Sequence, residues 1–235
     1  MKKLVIACKV LYYEINTILA TIKMDTTIDI CFLPQSIHNL PSQEAMREQL
    51  QKVIDRFEQR NNYETIILGY GLCGGGIEGL VSKRAFLVVP KAHDCIELLL
   101  GKSKRLQRAY FLNSGWIDFG DDAYKQYRHL ICNGEIAATN ETVESVLAEG
   151  LKMYHEIVLI DNDTLEPKHH LYALDLVKFL NSLVSRKQFE LKVLRSDLDY
   201  FRNILTSEKQ SENESNQIAI FKPGEPVSLF RILSE

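Results

Sequence analysis

A chain of 235 residues, 46% hydrophobic and 25% charged, has the make-up of a globular protein with enough apolar side chains for a sizeable core. Its net charge of −3 leaves no basic surplus for a phosphate backbone, so a nucleic-acid partner is not expected. No apolar run nears the roughly 20 residues that span a bilayer, and residues 4–7 after Lys2 and Lys3 are too few for a secretory core; the expectation is a cytoplasmic protein with no membrane partner.

In chain order, residues 4–7 read as a buried strand, and Leu11, Ile15, Ile18, Leu19 and Ile22 give helical spacing over 10–22. Residues 28–33 form a second strand, ended by Pro34 and followed by a loop carrying His38 and Pro41. Ser42 is placed to N-cap a helix running to about residue 60, with Met46, Leu50 and Ile54 on its apolar face. Residues 65–68 and 85–89 are the third and fourth strands. Asp94 with Glu97 three positions on is a capping-box pattern for a helix that stops at Gly101. Residues 109–112 form a short strand and 113–116 a turn. Helices at 121–132 and 140–154, a strand at 157–160, a helix at 169–183, a strand at 189–194 and a helix to about 205 follow. A polar loop over 207–217 leads to a last strand at 218–221. Alternating strands and helices imply an α/β fold, a mostly parallel sheet with helices on both faces in a Rossmann-like three-layer arrangement. One domain over 1–235 is expected. A division into similar lobes, 1–115 and 116–235, stays open.

Three of the five cysteines fall just past the carboxyl ends of apolar runs: Cys8, Cys73 and Cys95. That edge is where ligands bind in open α/β sheets. In a reducing compartment the cysteines should be thiols rather than disulfides, and thiolates select soft ions, zinc first and iron less so. A catalytic zinc keeps three protein ligands and one open position. His93, His38 and Glu14 are placed to add a ligand or an acid/base group, and Tyr70 and Trp116 to line an apolar wall. The alternative for the same residues is simple burial, since no CxxC pair is present. Cys31, inside a strand, and Cys132, near a helix end, read as packing residues. Cys95 falls at a helix start, where the dipole favours a thiolate; the charge of Asp94 opposes it. The run Gly69, Gly71, Gly74, Gly75 and Gly76 offers a competing reading. Residues 69–74 fit G-x-G-x-x-G, a phosphate-cradling pattern, but follow the third strand and lack an acidic ribose partner.

Cys8 with Glu14, His38 before Leu40-Pro41, Tyr70-Gly71-Leu72-Cys73-Gly74, His93-Asp94-Cys95, and Tyr110-Phe111-Leu112 through Gly115-Trp116 together resemble an uncharacterised prokaryotic family, domain of unknown function sixteen thirty-eight. Genes of its members often lie near those for corrinoid proteins and methyltransferases, so the resemblance implies a role in methyl or corrinoid metabolism. The expected function is then a thiolate metal-site protein, a zinc enzyme of methyltransferase type. Cys8, Cys73 and Cys95 would be the ligands, with a small-molecule substrate or a corrinoid protein as partner. A non-catalytic metal or tetrapyrrole carrier and a nucleotide module built on residues 69–76 are the alternatives. The oligomeric state is not legible.

Overall fold

The structure, a computed structural model, describes residues 2–22, 27–101, 108–132, 151, 153–183, 188–207 and 217–233. In chain order the elements are β1 (Lys2–Cys8), α1 (Tyr12–Thr21), β2 (Thr27–Leu33), α2 (Gln43–Arg60), β3 (Thr65–Gly69), β4 (Phe86–Pro90), α3 (Cys95–Leu100), β5 (Ala109–Leu112), α4 (Ser114–Phe119), α5 (Ala123–Cys132), β6 (Glu156–Asp161), α6 (Pro167–Leu183), β7 (Leu191–Arg195), α7 (Asp199–Thr206), β8 (Ile218–Phe221) and α8 (Leu229–Leu233). Short 3-10 turns cover Lys9–Leu11, Gln35–Asn39 and Cys73–Gly75. Most of the expected loop at 207–217, most of the expected helix at 140–154 and the side chain of Cys132 lie outside the described residues.

The chain divides into two compact units, Met1–Arg105 with Asp197–Glu235, and Leu106–Ser196. The first holds a five-stranded sheet in the order β2-β1-β3-β4-β8. Its first four strands are parallel, and β8 runs antiparallel against β4, with Val88 opposite Ile220. Strands β1, β3 and β4 read as near-continuous apolar runs because they are almost wholly buried. Leu4, Ile6, Ile15, Ile18, Leu50, Ile54, Ile66 and Leu68 are fully buried in this unit. The helix α2 begins as its sequence dictates: the Ser42 hydroxyl accepts the Ala45 N–H at 3.2 Å. Glu58, near its end, is buried and caps the loop before β4. Its Oε1 accepts the Ser82 hydroxyl at 2.6 Å and the N–H groups of Arg84 and Ala85 at 2.9 and 3.2 Å, and its Oε2 accepts Lys83 N–H at 3.1 Å.

The second unit is a three-stranded parallel sheet, β5-β6-β7. Leu112, Ile117, Ile157, Leu159, Ala173, Leu176, Leu180 and Phe189 form its core. Residues 113–116, expected as a turn, open a helix instead. The Asn113 side chain accepts the Trp116 N–H at 3.0 Å and so acts as the N-cap of α4. Among the described residues no helix is long and apolar enough to cross a membrane.

Candidate functional site

In the first sheet the strand order turns back between β1 and β3: β2 lies on one side of β1, while β3 and β4 lie on the other. The carboxyl ends of the two strands flanking such a reversal form a ligand-binding crevice in open α/β sheets. Cys8 is the last residue of β1, Cys73 follows β3, and Cys95 is the first residue of α3 after β4. Three neighbouring strands thus deliver one thiol each to one edge.

The loops after β3 and β4 are tied backbone to backbone. Leu72 N–H donates to the Ala92 carbonyl at 2.9 Å, and Cys73 N–H to the His93 carbonyl at 3.3 Å. Gly71 permits this approach. A β-carbon there would lie 2.5 Å from the Asp94 nitrogen and 2.6 Å from its Cα. Cys73 has φ +46°, a left-handed conformation that a residue with a β-carbon adopts at a cost. Asp94 caps α3 by accepting the N–H groups of Ile96 and Glu97 at 3.0 and 3.2 Å. Glu97 carries its side of the capping pattern one residue earlier than expected, accepting the His93 N–H at 2.7 Å.

Cys8 is buried, and Cys73 and Cys95 are half-buried. Loss of hydration dominates all three thiols. It pushes Cys8 up to about 11 from 9.0, with backbone N–H groups of Val10 and Lys9 partly opposing. Cys73 rises to about 12 through burial and then the negative charges that Cys8 and Asp94 would carry. Cys95 is raised well above 9.0 by burial, then by Cys73, Asp94 and Cys8. The dipole of the six-residue α3 therefore loses to burial and like charge at Cys95.

Tyr70 belongs to this constellation. It is 1% exposed, and burial, then Cys8, Cys73 and Cys31, raises its phenol far above the usual range. Among the described residues its hydroxyl has no hydrogen-bond partner. The His38 ring stands 5.8 Å from the Tyr70 ring at 41°, and partial burial lowers the His38 pKa below 6.5. Glu14 is fully buried in the first turn of α1, the helix that follows Cys8. His93 is exposed and held through its backbone by Glu97. Trp116 lies in the second unit, on α4.

A family profile described as "Protein of unknown function (DUF1638)" matches residues 32–205, about three quarters of the chain. The chain belongs to this family. No curated protein and no solved structure matches. The stretch matched by the family contains His38, Tyr70, Cys73, His93 and Cys95; Cys8 and Glu14 precede it.

The glycine loop is spent on the chain itself. Beside Gly71 against Asp94, a β-carbon on Gly76 would lie 2.5 Å from the Met46 sulfur, and one on Gly75 would lie 3.0 Å from Gln43. The N–H groups of Leu72, Cys73 and Gly75 donate to protein carbonyls. The glycines thus let chain approach chain, where the sequence suggested ligand approaching backbone. Among the described residues, no three His, Cys, Asp or Glu side chains stand together closely enough to hold a metal ion as they are. The thiols converge on one edge without the closed spacing of a formed zinc site. Sequence reasoning read Tyr70 as an apolar wall and missed its buried hydroxyl, because nothing local distinguishes a satisfied phenol from an unsatisfied one.

Proposed function

We propose that the carboxyl edge of the first sheet is a thiolate metal site, with Cys8, Cys73 and Cys95 as the ligand set and zinc as the resident ion. The observation that supports this most is the delivery of one thiol each by three neighbouring strands to one edge of the sheet. The donor set fits a soft dication. Burial keeps each sulfur protonated at neutral pH, and at Cys73 and Cys95 the neighbouring thiols and Asp94 add to it. A cation that takes the place of those protons removes both objections together. The same raised pKa values argue against three free thiols acting as nucleophiles, since the thiolate is the reactive form. The backbone ties between residues 72–73 and 92–93 hold the loops of Cys73 and Cys95 in register.

When bound, zinc would act as a Lewis acid and keep a thiol substrate ionised. The chain's own residues supply the rest. His38, neutral at pH 7 because its pKa is lowered, can accept a proton. Buried Glu14 and solvent-facing His93 are the further acid/base groups. Methyl transfer to a small thiol, or exchange with a corrinoid protein, is the reaction class that the family's setting favours. The Rossmann-like three-layer arrangement belongs to the same reading: right-handed crossovers running in opposite directions across the sheet, β1 to β2 through α1 and β2 to β3 through α2, would put the two helices on opposite faces. The nucleotide reading is weakened by the glycine loop, where the N–H groups of Leu72, Cys73 and Gly75 and the space beside Gly71 and Gly76 are taken up by the chain.

The test is equilibrium dialysis of anaerobically purified protein against Zn²⁺. The expected result is one ion per chain, lost in Cys8→Ser, Cys73→Ser and Cys95→Ser and kept in Cys31→Ser, all with unchanged circular dichroism. Stoichiometric zinc in the triple Cys→Ser variant would refute the site. Zinc binding without turnover of a methyl donor and a thiol would favour the carrier.

A further inference from the structure

An open sheet ends in edge strands whose outer N–H and C=O groups can pair with another chain. Proteins blunt such edges with short strands, charged side chains or covering groups. The two sheets here end in β2, β8, β5 and β7, and three of these edges are blunted. β5 and β8 have four residues each, and on β8 the Arg231 side chain donates to the Ile220 carbonyl at 2.8 Å. β7 carries exposed Lys192 and Arg195. β2 has none of these devices. It runs seven residues without proline, lysine or arginine, and among the described residues it pairs with β1 alone. Ile28, Ile30, Cys31, Phe32 and Leu33 are half-buried. Tyr12, 38% exposed, packs its ring 5.1 Å from that of Phe32 and adds aromatic surface beside the strand. The one charge on β2 is neutralised within the chain: Asp29 Oδ2 accepts the Tyr63 hydroxyl at 2.5 Å and lies 2.9 Å from Lys2 Nζ.

We propose that the outer edge of β2 pairs antiparallel with β2 of a second copy of this chain, about a two-fold axis at Ile30, joining two five-stranded sheets into one. The free backbone groups of an edge are matched by an extended strand, and β2 suits itself as that strand. An axis at Ile30, the midpoint of β2, pairs all seven residues. Thr27 then faces the partner's Leu33, Ile28 the partner's Phe32, and Asp29 the partner's Cys31. An axis one residue earlier would set the two Asp29 carboxylates opposite each other, and like charges so placed are destabilising. An axis one residue later would set Pro34, which has no N–H, opposite the partner's Ile28. The charge pattern of the strand therefore selects the register that also buries the most apolar side chains. Such a contact uses the same patch on both copies and closes on itself, as a two-fold dimer must. It does not depend on the thiolate chemistry proposed above.

Sedimentation equilibrium and hydrogen exchange on the reduced, full-length protein test this. The expected result is a mass of two chains at micromolar concentration and slow exchange at every β2 amide, because inward and outward N–H groups are then both bonded. Ile30→Lys sets two like charges opposite each other at the axis. It should be monomeric, with every second β2 amide exchanging fast. A second variant covers a lysine variant that fails to fold: Ile30→Cys in a Cys31→Ser background. Residues opposed in an antiparallel pair have Cα atoms about 4.5–5.5 Å apart, within disulfide reach, so the oxidant diamide should link this variant into a covalent dimer. Thr27→Cys in the same background should stay unlinked. A monomeric wild type with alternate β2 amides unprotected overturns the inference and leaves the edge to a strand of another protein. A dimer that survives Ile30→Lys, or that does not cross-link through Ile30→Cys, overturns it as well and moves the interface to a different face.

Discussion

Gly71→Ala is the sharpest test of how the thiol loops are held. The added methyl would sit 2.5 Å from the Asp94 nitrogen, 2.6 Å from its Cα and 2.8 Å from the His93 carbonyl carbon. Ordinary contact is about 3.5 Å, so the shortfall is roughly 1 Å. The obstacles are all backbone, so no flexible side chain can yield. The loops after β3 and β4 must move apart, which strains or breaks the bonds from Leu72 to Ala92 and from Cys73 to His93. Overpacking costs about 1–3 kcal/mol, and each lost hydrogen bond about 1 kcal/mol. The reduced freedom of alanine in the unfolded chain returns about 0.4–1 kcal/mol. The net loss is about 3 kcal/mol. At about 2–4 °C per kcal/mol for a chain of this size, that lowers the melting temperature by roughly 6–12 °C. The only tryptophan lies in the other unit, so unfolding of the first unit is best followed by labelling of buried Cys8 in a urea series. A variant within about 0.5 kcal/mol of wild type, the usual scatter for surface changes, would refute the close approach of the two loops.

Two further predictions concern pH. Burial alone would raise Glu58, but hydrogen bonds from Ser82, Lys83, Arg84 and Ala85 outweigh it and hold its pKa below 4.5. A depressed carboxylate stabilises the fold above its unfolded pKa and loses that contribution as pH falls through the folded one. Glu58→Gln, which turns an amide donor toward a backbone donor, should cost about 1–3 kcal/mol at pH 7, and the gap to wild type should close below pH 4.5 in urea titrations; a gap independent of pH would contradict the carboxylate cap. Cys8 works in the opposite sense. Its folded pKa of about 11 exceeds the ordinary 9.0, so Cys8 by itself should cost the metal-free protein up to about 3 kcal/mol between pH 9 and 11, at 1.36 kcal/mol per unit, beside the declines from Cys73 and Cys95. Cys8→Ala should make the alkaline decline shallower, and parallel curves for the two proteins would show that Cys8 is not the buried thiol described.

Local chemistry made much of this protein legible. Ser42 and Asp94 cap their helices because a short polar side chain before an apolar-periodic stretch has one good use, satisfying the first free N–H groups. The apolar runs ending in Cys8 and preceding Cys73 and Cys95 are strands because they are buried on both faces, and their position at a strand end follows from the chain alone. Asn113 shows the limit: the same residue type serves a turn or a cap, and only its bond to Trp116 decides. Strand order was decided by tertiary structure. That β1 lies between β2 and β3, and that β8 joins β4 antiparallel after the chain has left for a second unit, depends on long-range pairing that leaves no periodic mark. The thiol chemistry was decided the same way. In the sequence a helix start favours an ionised Cys95 and the adjacent Asp94 opposes it; burial and the nearness of Cys73 and Cys8 turn the balance toward the thiol. Sequence sets which groups are present and which local bonds they prefer. Their desolvation and their distance from other charges exist only once the strands are assembled.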